Sequence, residues 1–140
     1  MSRKYIKKTT REKIKKGANG ACEYCKTIRA YSSSPFAIEH VIPLAKKGSN
    51  AFENLAYSCN NCNLAKNIAT SAIDSVTNIE VSLFHPRKQV WKNHFKWSNN
   101  FLKMQGLTPV GRATITKLNT NRIENINLRA VLIGIDHPPS

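Results

Sequence analysis

The arrangement of the cysteines is the feature that most constrains the fold of this chain. The four cysteines form two C-x-x-C pairs, Cys22 with Cys25 and Cys59 with Cys62. In a chain without a predicted secretion signal, this favours a tetrathiolate zinc site over two disulfides, because the cytosol keeps thiols reduced and Zn²⁺ binds four sulfurs tetrahedrally. A redox C-x-x-C or simple buried cysteines are the alternatives. Four protein ligands leave no position for water, so we expect the zinc to be structural.

The charge balance indicates the class of partner. The chain of 140 residues has 22 Lys and Arg against eight Asp and Glu, a formal charge of +14. Such a field attracts polyanions, so nucleic acid is the first partner to consider. A protein kept soluble by its charge and a basic amphipathic membrane binder are the alternatives. No apolar run approaches the ~20 residues that span a bilayer, which predicts a soluble cytoplasmic protein without a membrane partner.

The chain length predicts one domain with three segments. Residues 1–20 are a basic arm with a short helix, for which Thr9 is the predicted N-cap and the glycines at 17 and 20 the end. Residues 21–70 are the cysteine-rich core, and residues 71–140 are an extension that packs on it. The oligomeric state is left open.

The core is predicted to contain two strands followed by a helix. β-Branched and aromatic residues favour a strand at 36–42, so Glu39 and His40 lie near a strand end, and residues 55–59 are predicted to form a second, short strand. An apolar pattern predicts a helix over 60–70, with Asn60 or Asn61 as its cap.

The extension is predicted to combine a β-hairpin with helices. Aromatic and basic residues alternate over 90–97, which predicts a strand, and 101–106 is its hairpin partner. Thr108 and Pro109 predict the start of a helix over 108–119, and a second helix covers 123–135. Residues 71–89 show no clear pattern. The overall class is α+β.

The core also carries a family motif. After the first C-x-x-C, the run "EHVIPLAKKGSNAFENLAYSCNNCNLAK" resembles the HNH endonucleases, which have the ββα-metal (His-metal finger) fold. The resemblance covers residues 22–66, about a third of the chain, and joins several linked features, which makes it specific. The stretches "LFHPRKQVWKNHFKW" and "GLTPVGRATITKLNTNR" also resemble the C-terminal part of some small bacterial HNH proteins. The implied fold is a ββα-metal finger stabilised by a four-cysteine zinc site, with a C-terminal hairpin and helices.

The resemblance implies a role for each polar residue of the motif. His40 would be the general base that takes a proton from the attacking water. Glu39 and Asn63 would hold a catalytic divalent ion, Mg²⁺ or Mn²⁺, through oxygen atoms. Asn54 would hold His40 in position by hydrogen bonds. The family more often has His at the position of Asn63 and Asp at that of Glu39, which leaves the position of the ion and the metal preference open.

Simpler structural roles exist for the same residues. Glu39 and His40 also fit a structural pair at a strand end. Lys66 is a candidate phosphate contact or a solvated lysine. His85, His94 and His137 have no acidic or cysteine neighbour at ligand spacing and are not predicted to be catalytic. A candidate DNA-backbone surface, or alternatively a solvated face, is formed by Arg87, Lys88, Lys92 and Lys96.

The favoured function is therefore a metal-dependent HNH endonuclease that hydrolyses phosphodiester bonds in DNA and leaves 5′-phosphate and 3′-hydroxyl ends, as the family does. RNA is the alternative substrate. The alternative from another class is a non-catalytic, zinc-stabilised module that binds nucleic acid without cutting it.

Overall fold

A computed structural model describes residues 5–139 of the chain, which have a mixed α and β structure. The helices of this part are α1 Lys8–Gly17, α2 Asn60–Lys66, α3 Trp91–His94, α4 Pro109–Leu118 and α5 Ile123–Gly134. Its strands are β1 Phe36–His40, β2 Leu55–Cys59, β3 Ser71–Ile73, β4 Glu80–Ser82, β5 Phe95–Trp97 and β6 Met104–Gly106. Short 3-10 helices lie at Arg29–Tyr31, Leu44–Lys46 and Phe52–Asn54. The strands pair as three antiparallel hairpins, β1 with β2, β3 with β4 and β5 with β6.

The first helix packs on the central hairpin. Ile14 is fully buried, and it forms one apolar cluster with Ile6, Leu55 and Tyr57. The predicted cap is wrong, because the helix begins one residue before Thr9 and Lys7 occupies the N-cap position without a side-chain hydrogen bond. The apolar side of α1 therefore packs on the sheet and fixes the position of the basic residues of this helix.

The β1–β2 hairpin and α2 form the centre of the molecule. The register pairs Phe36 with Cys59 and His40 with Leu55, so β1 ends where β2 begins. Every residue of β2 is buried, and α2 follows it directly. This order confirms the predicted strand, strand and helix, although β1 ends before Val41 and α2 ends at Lys66. The predicted site residues Glu39, His40 and Asn63 therefore lie on adjoining elements.

The extension contains the predicted hairpin and helices. The side chain of Thr108 accepts a hydrogen bond from the Gly111 backbone N–H at 3.1 Å, and Pro109 begins α4 as predicted. The prediction of one strand over 90–97 is wrong in its first half, since residues 91–94 form a helical turn. Trp91 and Phe95 are four residues apart, a spacing that suits a helical turn, and their rings pack 5.1 Å apart.

The hairpin of β3 and β4 occupies the segment in which the sequence shows no pattern. It is attached to α4 by Asp74, whose carboxylate accepts hydrogen bonds from Arg112 Nε at 2.8 Å and Nη2 at 3.0 Å. Asp74 also accepts from the Thr77 hydroxyl at 2.7 Å. These bonds hold the pKa of Asp74 well below its usual value.

Several contacts join the extension to the cysteine-rich core. The Trp91 indole N–H donates to Tyr24 O at 3.0 Å. Arg129 is buried, and its guanidinium donates to Leu102 O at 2.9 Å, to Thr120 O at 2.8 Å and to Cys25 O at 3.4 Å. The same group lies 4.9 Å from the centre of the Trp97 ring. The division into segments 1–20, 21–70 and 71–140 stays a prediction.

Within the described residues, no helix has the length and apolar character needed to cross a membrane.

Candidate active site and zinc site

The four cysteines come together as predicted. Their sulfur atoms all lie within 4.8 Å of one another, and all four residues are buried. The Sγ atoms of Cys25 and Cys59 are 3.6 Å apart. A tetrahedral zinc with Zn–S bonds of about 2.3 Å separates its sulfurs by about 3.8 Å. The arrangement is therefore compatible with a structural zinc ion.

Backbone N–H groups support the sulfurs. The Cys25 N–H donates to Cys22 Sγ at 3.5 Å, and the Cys62 N–H donates to Cys59 Sγ at 3.4 Å. Cys59 is thus the N-cap of α2, and the prediction that Asn60 or Asn61 caps this helix is wrong. Burial is the main cause that raises the pKa of the Cys22 thiol. Four thiolates at this separation need a cation, which the donor set of the site would bind.

One groove brings together three of the predicted site residues. It has a volume of about 370 Å³, and it is lined by Glu39 and His40 from β1 and by Asn63 from α2. The loop from Pro43 to Ala45 and the residues that follow α2, Asn67 and Ile68, contribute to its walls. The hairpin register and the direct step from β2 into α2 explain why residues so distant in sequence share this groove.

His40 is held by a residue that the sequence did not indicate. Its Nε2 lies 2.7 Å from Asn50 Oδ1, and Asn50 Nδ2 donates to Tyr5 O at 2.8 Å. A carbonyl oxygen only accepts, so the Asn50 amide nitrogen must face Tyr5 and its oxygen must face His40. The imidazole Nε2 must therefore carry a proton. In the neutral ring the lone pair that accepts a proton is then on Nδ1.

Asn54 does not hold His40, so the predicted partner is wrong. Its Oδ1 accepts from the Ile42 N–H at 2.9 Å, and its Nδ2 donates to Ile42 O at 2.9 Å and Ser49 O at 2.8 Å. Gly48 fits into the same turn because a Cβ there would lie 1.6 Å from Ile42 O. Asn54 thus fixes the backbone of the loop that follows His40 and carries Asn50.

Glu39 has two partners in the protein interior. The Tyr24 hydroxyl donates to its Oε2 at 2.6 Å, and Lys66 Nζ lies 3.3 Å from its Oε1. Burial raises the pKa of Glu39, while Lys66 and the Tyr24 hydrogen bond oppose this. Burial and the negative charge of Glu39 raise the pKa of Tyr24, so its hydroxyl remains a donor. Glu39 is nevertheless one of the residues that line the groove.

Lys66 does not occupy the surface position expected of a phosphate contact. Its side chain is 1% exposed, and besides Glu39 it donates to Val41 O at 2.8 Å and His40 O at 3.4 Å. The ammonium group of Lys66 therefore bonds to partners in the protein interior at the end of β1. This position contradicts both predicted roles of Lys66, as a phosphate contact and as a solvated lysine.

The candidate DNA-backbone residues of the extension do not share one strand face. Arg87 forms an ion pair with Glu23, and its guanidinium lies 5.3 Å from the centre of the Phe52 ring, so it is not a free cation. Lys92 is exposed on α3, and Lys96 is exposed on β5. Lys88 is exposed as well, so three of the four candidates keep the exposure that a backbone contact needs.

The comparison with protein families identifies the core. Residues 22–68 match the family model of the HNH endonucleases. This segment is an HNH domain. It begins at Cys22 and includes Glu39, His40 and Asn63, so the match covers both the four clustered cysteines and these three residues of the groove. No curated protein and no solved structure matches the chain. The HNH domain is of a nuclease type, and HNH nucleases act on nucleic acids.

Proposed function

We propose that this protein is a metal-dependent endonuclease that hydrolyses phosphodiester bonds in DNA. The observation that carries the proposal is the single groove lined by Glu39, His40 and Asn63, inside a segment that matches the HNH endonucleases. A base and two oxygen ligands on one groove are the set that metal-assisted phosphodiester hydrolysis requires.

His40 acts as the general base. Because Asn50 accepts from its Nε2, the ring offers Nδ1 to a water molecule and removes one proton from it. The water oxygen forms a bond to the scissile phosphorus, and the bond from phosphorus to the 3′-oxygen breaks. The products are a 5′-phosphate and a 3′-hydroxyl, whose proton comes from solvent.

Glu39 and Asn63 would hold the divalent ion. An ionised carboxylate has about four lone-pair positions, and Tyr24 and Lys66 use two of those of Glu39, so the carboxylate retains capacity for a metal. The Asn63 amide adds a neutral oxygen, and such hard donors favour Mg²⁺ or Mn²⁺. When bound, the ion supplies Lewis-acid stabilisation of the phosphate and the leaving oxygen.

The charge favours a nucleic acid as the substrate, and DNA is the one that we propose. The formal charge of +14 attracts a polyanion, and exposed lysines such as Lys92 and Lys96 can neutralise backbone phosphates. Binding should therefore weaken steeply as salt is raised. Competition between DNA and RNA oligonucleotides for the same protein tests the preference.

Nicking of supercoiled plasmid in Mg²⁺ or Mn²⁺ tests the activity. The wild-type protein should nick, and His40→Ala should lose nicking by a factor of about 100 or more while it still binds DNA. His137→Ala is a matched control, because His137 is exposed and its described ring contact is with Tyr31. Equal nicking by the wild-type and His40→Ala proteins would reject His40 as the base.

One observation favours the second candidate, a module that binds nucleic acid without cutting it. The Lys66 ammonium lies 3.3 Å from Glu39, so a cationic side chain already compensates the carboxylate that the metal would use. Salt-dependent DNA binding, with no nicking in either metal by protein that contains zinc, would support this candidate.

A further inference from the structure

We propose that a second cleft beside the catalytic groove binds the phosphodiester backbone of the same nucleic-acid strand, next to the scissile phosphate. This basic cleft has a volume of about 520 Å³, within the ~300–1000 Å³ typical of ligand sites. Its walls come from the loop after β1, the end of α2, the β3–β4 hairpin and residues 83–89. The inference rests on the proposed function, since it assigns part of the substrate to this cleft.

The basic cleft is lined mainly by hydrogen-bond donors and cations. Lys46 and Lys88 are exposed at its walls; Lys66 is also a lining residue, but its ammonium is bound by Glu39 and Val41 O and is not counted as a phosphate contact. The residues lining it include neither Asp nor Glu, and the hydroxyl-bearing ones are Thr70 and Ser82, together with Ser71, whose hydroxyl already donates to Glu80. Such a wall suits the oxygen atoms of a phosphate.

Two further side chains are oriented as donors by their own backbone contacts. His85 Nδ1 accepts from the Arg87 N–H at 3.2 Å, so the neutral ring carries its proton on Nε2. The Gln89 Oε1 accepts from the His85 N–H at 2.8 Å, which leaves the Gln89 amide N–H groups as donors. Burial and then the charge of Lys88 lower the pKa of His85, which favours this neutral form.

The basic cleft and the catalytic groove are adjacent. Val41 and Ile42 line the cleft and directly follow His40, which lines the groove. Lys66 lines the cleft, and its Nζ lies 3.3 Å from the carboxylate of Glu39, a residue that lines the groove. A strand with its scissile phosphate at His40 would therefore present a neighbouring phosphate to the cleft.

The lining favours the sugar–phosphate backbone over a base. No Phe, Tyr or Trp is present among the lining residues, so the cleft offers a base no aromatic ring of the kind that stacks in single-strand sites. A smaller cleft of about 300 Å³ shares Ile42, His85 and Lys88 with it and adds Lys47, together with Glu53. The cationic surface thus continues along the loop from β1 to β2.

Salt-dependent DNA binding tests the assignment. The measurement uses zinc-loaded His40→Ala protein and a fluorescent duplex without divalent metal, so that binding is read without cleavage. Adding Lys46→Ala and Lys88→Ala should reduce the slope of log K against log salt by about 1.8, or 0.9 for each phosphate contact. Affinity near 0.1 M salt should fall roughly 10- to 100-fold.

A matched variant separates a local contact from net charge. Lys103→Ala with Lys117→Ala removes the same charge from exposed positions of the extension, and it should leave the slope within about 0.3 of the parent value. Equal losses in both variants, or none in the Lys46/Lys88 variant, would overturn the assignment. Folding of each variant is checked by its thermal unfolding.

Inorganic phosphate distinguishes a strand site from a site for the free ion. If the Lys46/Lys88 variant loses phosphate binding by NMR but retains the DNA slope, the cleft binds free phosphate and the proposal is wrong. Absence of nicking by the wild-type protein would reject the proposed function, while the binding result in His40→Ala would still stand. The two failures are therefore distinguishable.

Discussion

Replacing Lys66 by methionine should destabilise the protein strongly, because it leaves Glu39 buried without its cation. Lys66 Nζ lies 3.3 Å from Glu39 Oε1, and the two side chains are 1% and 6% exposed. The same substitution removes the donor to Val41 O at 2.8 Å. Removal of one partner of a buried ion pair costs about 3–5 kcal/mol. That loss is a large share of the roughly 5–15 kcal/mol by which a protein of this kind is stable.

A double-mutant cycle tests the origin of this loss. Glu39→Gln together with Lys66→Met replaces both charges, so no uncompensated carboxylate remains. The double variant should therefore recover at least about 2 kcal/mol of unfolding free energy relative to Lys66→Met. The free energies come from urea unfolding of zinc-loaded protein, followed by circular dichroism. A loss below about 1 kcal/mol in Lys66→Met, or no recovery in the double variant, would refute the argument.

The same variants test the divalent site without measuring activity. A Mn²⁺ ion at Glu39 would supply the charge that Lys66→Met removes, so Mn²⁺ should stabilise this variant more than the wild-type protein. Each tenfold gain in affinity adds about 1.4 kcal/mol once the ion is well above its Kd. The Glu39→Gln/Lys66→Met protein should show little response. Equal Mn²⁺ stabilisation in all three proteins would remove Glu39 from the metal site.

Three further outcomes are expected. Chelation of zinc should abolish cleavage even in excess Mg²⁺, and it should also reduce the helical circular dichroism signal of the core, because α2 begins at the second cysteine pair. Both signals should return when zinc is added. Cleavage by zinc-free protein would contradict this expectation. Asn50→Ala should reduce kcat about 10-fold through loss of the 2.7 Å bond to His40 while DNA affinity stays the same, as single-turnover cleavage and anisotropy will measure. Arg112 holds the pKa of Asp74 below its unfolded value, so the stability that this pair adds is complete above about pH 4 and is lost as the pH falls further. The urea midpoint of the wild-type protein should fall as the pH is lowered through this range, and the midpoint of Asp74→Asn should fall less. Identical curves for the two proteins would exclude the ion pair as the cause.

The parts of the fold that the sequence predicts are those governed by local rules. The C-x-x-C pairs, the short strand over 55–59 and the cap at Thr108 each depend on a few neighbouring residues, and each is present in the structure. The prediction of one strand over 90–97 is wrong in its first half because the spacing of Trp91, Phe95 and Trp97 fits both a strand and a helical turn followed by a strand. The β3–β4 hairpin has three residues in each strand, which is too short for a periodic pattern.

The site residues that the sequence missed depend on contacts between distant segments. Asn50 lies in an irregular loop, and only the folded chain brings its amide to His40. Lysine is rarely buried, so no local signal indicates that Lys66 pairs with Glu39 in the interior. The motif predicts that Asn54 holds His40, yet the partners of Asn54 are backbone groups of Ile42 and Ser49, which a sequence pattern does not specify.

The guanidinium of Arg129 has a consequence for how this nuclease-type domain can be moved or shortened. Arg129 lies on α5, outside the matched segment of residues 22–68, and its guanidinium donates to Cys25 O in the first C-x-x-C pair. A chain cut after residue 70 would lose this donor and would expose the apolar face that Phe84, Phe95 and Met104 cover beside the cysteines. We expect such a fragment to bind zinc poorly and to aggregate. A transfer of the groove into another protein would therefore have to include α5.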